Sequence, residues 1–181
     1  MADAGKFKKV RLNTEPTKEA LDALNLGDVV YLVGTVYTAR EGAYMRALEG
    51  GDGLPMDLPK ESGANFHCSP AASIGEDGSI SMGAVTATAS FRFTKWIGEW
   101  LTLSGAKLIL GKGGMTSADY KQHFVTNGAI YLTTVGYGTG ALLGRGIVRV
   151  KDVHWRKELG LAQAMWVLEV ENFGPFSVES D

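Results

Sequence analysis

The chain has 181 residues, 45% of them hydrophobic and 21% charged, with a formal net charge of −2. That length supports a sizeable core in one domain over 1–181, and that composition excludes a disordered chain. The slight acidity argues against a nucleic-acid or membrane-surface binder, which carries a basic excess, and no apolar run approaches the ~18–20 residues that span a bilayer.

The opening MADAGKFKKV has no apolar stretch for export. Cys68 is the single cysteine, so no internal disulfide can form and the cytoplasm is the expected compartment. The stretch TEPTKEALDALNLGD predicts a short helix capped by Thr14 or Thr17, with Leu21 and Leu24 on one face and Gly27 as the stop. VVYLVGTVYTA is rich in β-branched and aromatic residues and predicts a strand or strand pair broken at Gly34. REGAYMRALEGG predicts a short helix ended by Gly50 and Gly51. ANFHCSP reads as a strand closed by Pro70, and EDGSISM holds a turn at Asp77-Gly78. In ASFRFTKWIGEWLTLSG, residues Phe93, Trp96, Ile97, Trp100 and Leu101 recur at helical spacing before Gly105.

The second half alternates. A strand AKLILG precedes a helix TSADYKQHFVTNG, capped by Thr116 or Ser117, and a strand AIYLTTVG. A short helix TGALLGRG and the strands IVRVKDVHW and MWVLEVENFGPFSV follow. This order implies α/β architecture, and the more direct succession of the early strands favours a mixed sheet over a doubly wound one. The 24 glycines sit at the ends of apolar runs, where tight turns or close backbone approach need a residue without a Cβ.

Gly136-x-Gly138-x-x-Ala141 has the spacing of a dinucleotide turn, but the next strand begins near Ile147 and leaves no room for a crossover helix. It reads as a packing turn. His67, His123 and His154 lie far apart, so metal-ligand spacing is absent, and one thiol cannot hold an iron–sulfur cluster. The pair His67-Cys68 reads as one residue in the core and one facing out. The cations are more informative. Arg40, Arg92 and Lys112 each stand at a junction of strand and helix, where ligand sites of α/β sheets collect. Singly, each reads as a solvated charge. Converging, they would suit a ligand with two carboxylates, since Arg clamps a carboxylate in two places and Lys adds a point charge.

Four segments carry a further signal: LGDVVYLVGTVYTARE, ATASFRF, GKGGM and VKDVHWRKELGLAQAMWVLEVENFGPFSV. Through them nearly the whole chain resembles the β subunits of two-subunit class I hydro-lyases, the L(+)-tartrate dehydratase and iron–sulfur class I fumarase family. The resemblance implies a swivelling β/β/α-type domain with a mixed sheet and flanking helices. It implies an α subunit carrying a [4Fe–4S] cluster on three cysteines, an α2β2 assembly with homodimer contacts, and a small dicarboxylate substrate. It assigns Thr88 as the catalytic base and Arg40, Arg92 and Lys112 as carboxylate-binding residues. Departures from the family pattern stand at the same places. Its Pro-Thr-Thr is Ala87-Thr88-Ala89 here, its methionine after the arginine is Phe93, the acid after that is Thr94, and its histidine four residues beyond the first arginine is Tyr44. Two readings follow: a pocket altered for another hydroxy acid, or a noncatalytic dicarboxylate-binding or scaffolding paralogue. Retention of Thr88, Arg92, Arg40 and Lys112 favours activity.

Overall fold

A computed structural model describes residues 7–136 and 138–180. The opening residues 1–6, read above for an export signal, and position 137 of the Gly136-x-Gly138 motif lie outside the described residues.

Nine strands form two sheets among the described residues. The main sheet holds β1 (Lys9–Asn13), β2 (Val29–Thr38), β3 (Ala64–Phe66), β6 (Leu108–Gly111), β7 (Ile130–Thr134), β8 (Ile147–His154) and β9 (Met165–Ser180). Strands β2, β3, β6 and β7 run parallel in that spatial order. Antiparallel β9 then pairs with both β7 and β2, so the sheet closes on itself, with β1 beside β2 and β8 beside β9. This is the mixed α/β arrangement that the order of elements predicts. Closure removes two edges that would otherwise present unpaired backbone groups. Its interior is filled by Val30, Leu32, Phe66, Leu110, Leu132 and Phe176, all with essentially no exposure.

The helices α1 (Lys18–Asp22), α2 (Glu41–Tyr44), α3 (Leu58–Glu61), α4 (Thr94–Ser104), α5 (Ser117–Asp119), α6 (Val125–Asn127), α7 (Thr139–Arg145) and α8 (Arg156–Leu159) are short except α4. Thr17 caps α1 by accepting the Ala20 N–H at 3.2 Å. Thr14, the other candidate cap, accepts the Thr35 N–H at 2.9 Å and so ties the bulged middle of β2. Helix α2 widens into a π-type turn over Met45–Glu49 before Gly50, and a similar turn over Tyr120–Phe124 joins α5 to α6. Trp96, Ile97, Trp100 and Leu101 face the core from α4, as their spacing predicts, and Gly105 ends it in the left-handed region. The seven residues of α7 are too few for a crossover helix, which agrees with reading that glycine segment as a packing turn.

Three expectations need correction. VVYLVGTVYTA is one strand, as one of its two readings has it, but Gly34 does not break it: the register against β9 shifts between Val30 and Gly34 and the strand runs on to Thr38. Pro70 does not close a strand. The chain leaves the main sheet after Phe66 and starts β4 (Cys68–Ile74), which pairs with β5 (Ile80–Ala87) as a two-stranded hairpin turning at Asp77-Gly78. A proline is tolerated there because neither strand has a second neighbour to supply with a hydrogen bond. His67 and Cys68 do not alternate in and out: both are buried, because the switch from one sheet to the other falls between them.

Candidate active site

Because β2, β3, β6 and β7 are parallel, their carboxyl ends open on one edge of the molecule. Arg40 follows the end of β2 and begins α2. It is half-buried. Its Nη1 donates to the Ala162 carbonyl at 3.2 Å, while its Nε is buried without an acceptor among the described residues. An unpaired buried donor on a charged group is costly, and a carboxylate would supply what is missing. His67 follows the end of β3 and Lys112 follows the end of β6.

The segment Thr88–Ser90 lies between those two strand ends. The Thr88 N–H donates to the His67 carbonyl at 2.6 Å, the Lys112 N–H donates to the Thr88 carbonyl at 3.3 Å, and the Ser90 N–H donates to the Lys112 carbonyl at 3.1 Å. Ala89 and Lys112 thereby form a parallel bridge. A 3₁₀ turn, Ser90–Phe93, then presents Arg92 to solvent, with its Nη2 3.6 Å from Glu41 Oε2. Glu41 is the residue after Arg40, so one carboxylate links the two arginine-bearing segments. All four residues singled out from the sequence therefore meet at one edge, with Thr88 and Lys112 joined through backbone and Arg40 and Arg92 through Glu41.

They do not share one closed cavity. Lys112 lines a cleft of about 690 Å³ with Ala87, Ala89, Gly113, Thr134 and Thr139, and neither arginine borders it. Another cleft, of about 750 Å³, is bounded by Leu21, Lys107 and Ile130 at the opposite, amino edge of the strands and contains none of these groups. Chemistry and strand polarity point to the carboxyl edge.

Beneath the edge lies a buried polar chain. Asn65 Nδ2 donates to Tyr44 Oη at 2.7 Å, and Tyr44 Oη lies 2.7 Å from His67 Nε2. His67 Nδ1 lies 2.8 Å from Ser90 Oγ, which accepts from Tyr131 Oη at 2.7 Å. All five residues have essentially no exposure. Burial pushes the His67 imidazole down to about 3 and raises the Tyr44 phenol well above its ordinary value. The histidine is therefore neutral at neutral pH. The spacing of sequence motifs does not reveal this chain. Its one trace is the tyrosine at position 44, where the family resemblance expects a histidine.

An iron–sulfur cluster does not fit this chain's side chains. Among the described residues no three His, Cys, Asp or Glu gather as a metal site. Burial drives the Cys68 thiol well above its ordinary range, with Arg40 pulling weakly the other way. A lone thiol kept protonated is not a cluster ligand.

The fold and its edge define an α/β domain whose parallel strands end among Arg40, Arg92 and Lys112, the edge of an α/β sheet where ligand sites collect. Over residues 1–181 the sequence matches the Fumarase C-terminus family. It is 33% identical over 177 residues to the L(+)-tartrate dehydratase subunit beta of Escherichia coli K12, covering 97% of this chain and 84% of the relative. It is 36% identical over 168 residues to a Methanocaldococcus jannaschii protein provisionally named L(+)-tartrate dehydratase subunit beta, covering 91% of this chain and 84% of the relative. A protein of Geobacillus stearothermophilus, provisionally named a class I fumarate hydratase, is 30% identical over 167 residues, covering 91% of this chain and 30% of that longer one. The chain belongs to the Fumarase C-terminus family.

Proposed function

We propose that the chain is the β subunit, built as one domain, of a hydro-lyase that reversibly removes water from a small dicarboxylic hydroxy acid of the malate or tartrate type. The observation that carries this is the meeting of Thr88, Arg40, Arg92 and Lys112 at one strand edge, within a chain whose relatives bear tartrate dehydratase and fumarate hydratase names. The noncatalytic alternative is not favoured, because the replaced residues flank these four without removing any of them.

Arg40 and Arg92 hold one carboxylate, the first through its unpartnered Nε, and Lys112 holds the second from the cleft side. Thr88 Oγ1 takes the proton from the carbon next to a carboxylate. The C–H electron pair becomes the C=C bond, the C–O bond on the neighbouring carbon breaks with its electron pair leaving on oxygen as hydroxide, and the proton taken by Thr88 returns to that hydroxide to give water. Charge that builds on the carboxylate in the transition state is met by cations already in place, which is the form of stabilisation that raises kcat. An alkoxide is a poor resting state at neutral pH, so Thr88 needs the nearby positive charge or a group from the α subunit. The α subunit also carries the iron–sulfur cluster, for which the described residues of this chain offer no ligand set. Phe91, 63% exposed between Ser90 and Arg92, and Met45, 45% exposed on the turn after α2, offer apolar surface beside the site for that subunit to cover. We place the α2β2 assembly in the cytoplasm, in keeping with the lone, buried cysteine.

Co-purification with the α subunit under anaerobic conditions, followed by assays on fumarate, malate and tartrate, tests the reading. Thr88→Ala should abolish turnover, by 100-fold or more, with folding and subunit association intact. An unchanged rate would remove Thr88 from the chemistry.

A further inference from the structure

We propose that His67 is a positioning residue, a neutral imidazole strut that fixes the Arg40-bearing helix relative to the Thr88–Arg92 segment. This rests on reading Arg40, Thr88 and Arg92 as the reacting site.

The strut is defined by its two ends. Nε2 meets Tyr44 Oη at 2.7 Å, and Tyr44 is one helical turn beyond Arg40. Nδ1 meets Ser90 Oγ at 2.8 Å, and Ser90 stands midway between Thr88 and Arg92. The backbone of the same histidine adds two anchors. Its N–H donates to the Leu110 carbonyl at 2.8 Å, and its carbonyl accepts the Thr88 N–H at 2.6 Å. One residue thus touches β6, α2 and the Thr88 segment at once.

The surroundings leave the ring little freedom. The Phe93 ring packs edge-on against it at 4.7 Å between centroids, and Tyr44 is clasped by Trp100 at 4.5 Å and Trp96 at 5.9 Å. Asn65 and Tyr131 donate inward at the two far ends, which fixes the hydroxyls that face the imidazole. Each of those hydroxyls can donate or accept, so a ring with one N–H and one bare nitrogen is satisfied at both ends. The end of β6 keeps space for the arrangement: a Cβ at Gly111 would collide with Ser90 Oγ. Surface ion pairing cannot replace this connection. The Arg92–Glu41 pair that also links the two segments is long, at 3.6 Å, and half-exposed, and such pairs contribute little.

A strut fails when either end is cut, so cutting both should add nothing. Tyr44→Phe and Ser90→Ala each remove one end while leaving the ring and the core volume nearly unchanged. In the enzyme assembled with its α subunit, each single variant should lower kcat about 10-fold with KM altered less than 3-fold. The double variant should match the singles rather than reach about 100-fold. Amide exchange in the same assembly gives a reading independent of turnover: the Thr88 and Lys112 N–H groups should lose protection at least 10-fold in both single variants. Multiplying kinetic effects, or unchanged protection in the two variants, overturns the proposal. If the wild-type assembly turns over no hydroxy acid, the functional reading falls, and the exchange result alone still decides whether His67 holds the two segments in register.

Discussion

Lys112 is the residue on which the binding and solvated readings differ most sharply. It is exposed at the end of β6 and lines the cleft beside Ala89 and Thr134. A solvated lysine could be lost with a stability change under about 0.5 kcal/mol and no kinetic effect. A lysine paired with a carboxylate under a covering subunit contributes roughly 1.5–3 kcal/mol, so Lys112→Met should lower kcat/KM by about one to two orders of magnitude at unchanged stability. Steady-state kinetics together with a denaturation curve separate the two cases. His67 makes a different prediction. Its imidazole is held down to about 3, against an ordinary value of 6.5. The unfolded chain takes up a proton that the folded chain refuses across that interval. The contribution is therefore complete above about pH 6.5 and falls as pH drops toward 3, by about 1.4 kcal/mol per pH unit. Between pH 7 and pH 5 the wild type should lose about 2 kcal/mol of stability that His67→Gln retains. Parallel slopes for the two proteins in urea denaturation would show that the buried imidazole does take a proton.

At the scale of elements, the end of β6 is where packing and the proposed site coincide. Alanine at position 111 places its methyl on Ser90 Oγ and 2.7 Å from Tyr131 Oη. Overpacking of this kind costs about 1–3 kcal/mol, and here it also pushes on the segment that carries Thr88. Gly111→Ala should lower the denaturation midpoint and kcat together. Lys112→Met, one residue away, should lower only kcat/KM. The contrast shows what a sequence discloses about elements. Helix α4 is legible because Trp96, Ile97, Trp100 and Leu101 repeat with the helical period and Gly105 stops them. Arg40, Arg92 and Lys112 are legible as candidates because strand-to-helix junctions are local features. The burial of His67 is not legible. It depends on the chain changing sheets between Phe66 and Cys68, and on four partners contributed by α2, β3, β7 and the Thr88 segment. Pro70 misleads for a related reason: whether a proline ends a strand depends on neighbours that lie elsewhere in the sequence.

For the molecule as a whole, the proposal that the α subunit completes the site sets the expected assembly behaviour. The chain purified alone should be colourless and inactive, and turnover should appear when the α subunit is added. Iron measured at one equivalent or more on this chain alone would contradict that expectation. The closed sheet has a consequence of another kind. Among the described residues, strand β2 finds its antiparallel partner in β9, with Val29 opposite Ser177. At about 5–20 residues per second, a ribosome needs on the order of ten seconds to deliver β9 after β2 has emerged. During that interval the nascent sheet has open backbone on β2 and β7 and an uncovered row of Val30, Leu32 and Val36. Such edges invite pairing with other chains. The nascent chain should therefore be held by chaperones until its last strand arrives, and ribosome-bound chains stalled before Met165 should aggregate on release whereas those carried through Ser180 on an added C-terminal linker should not.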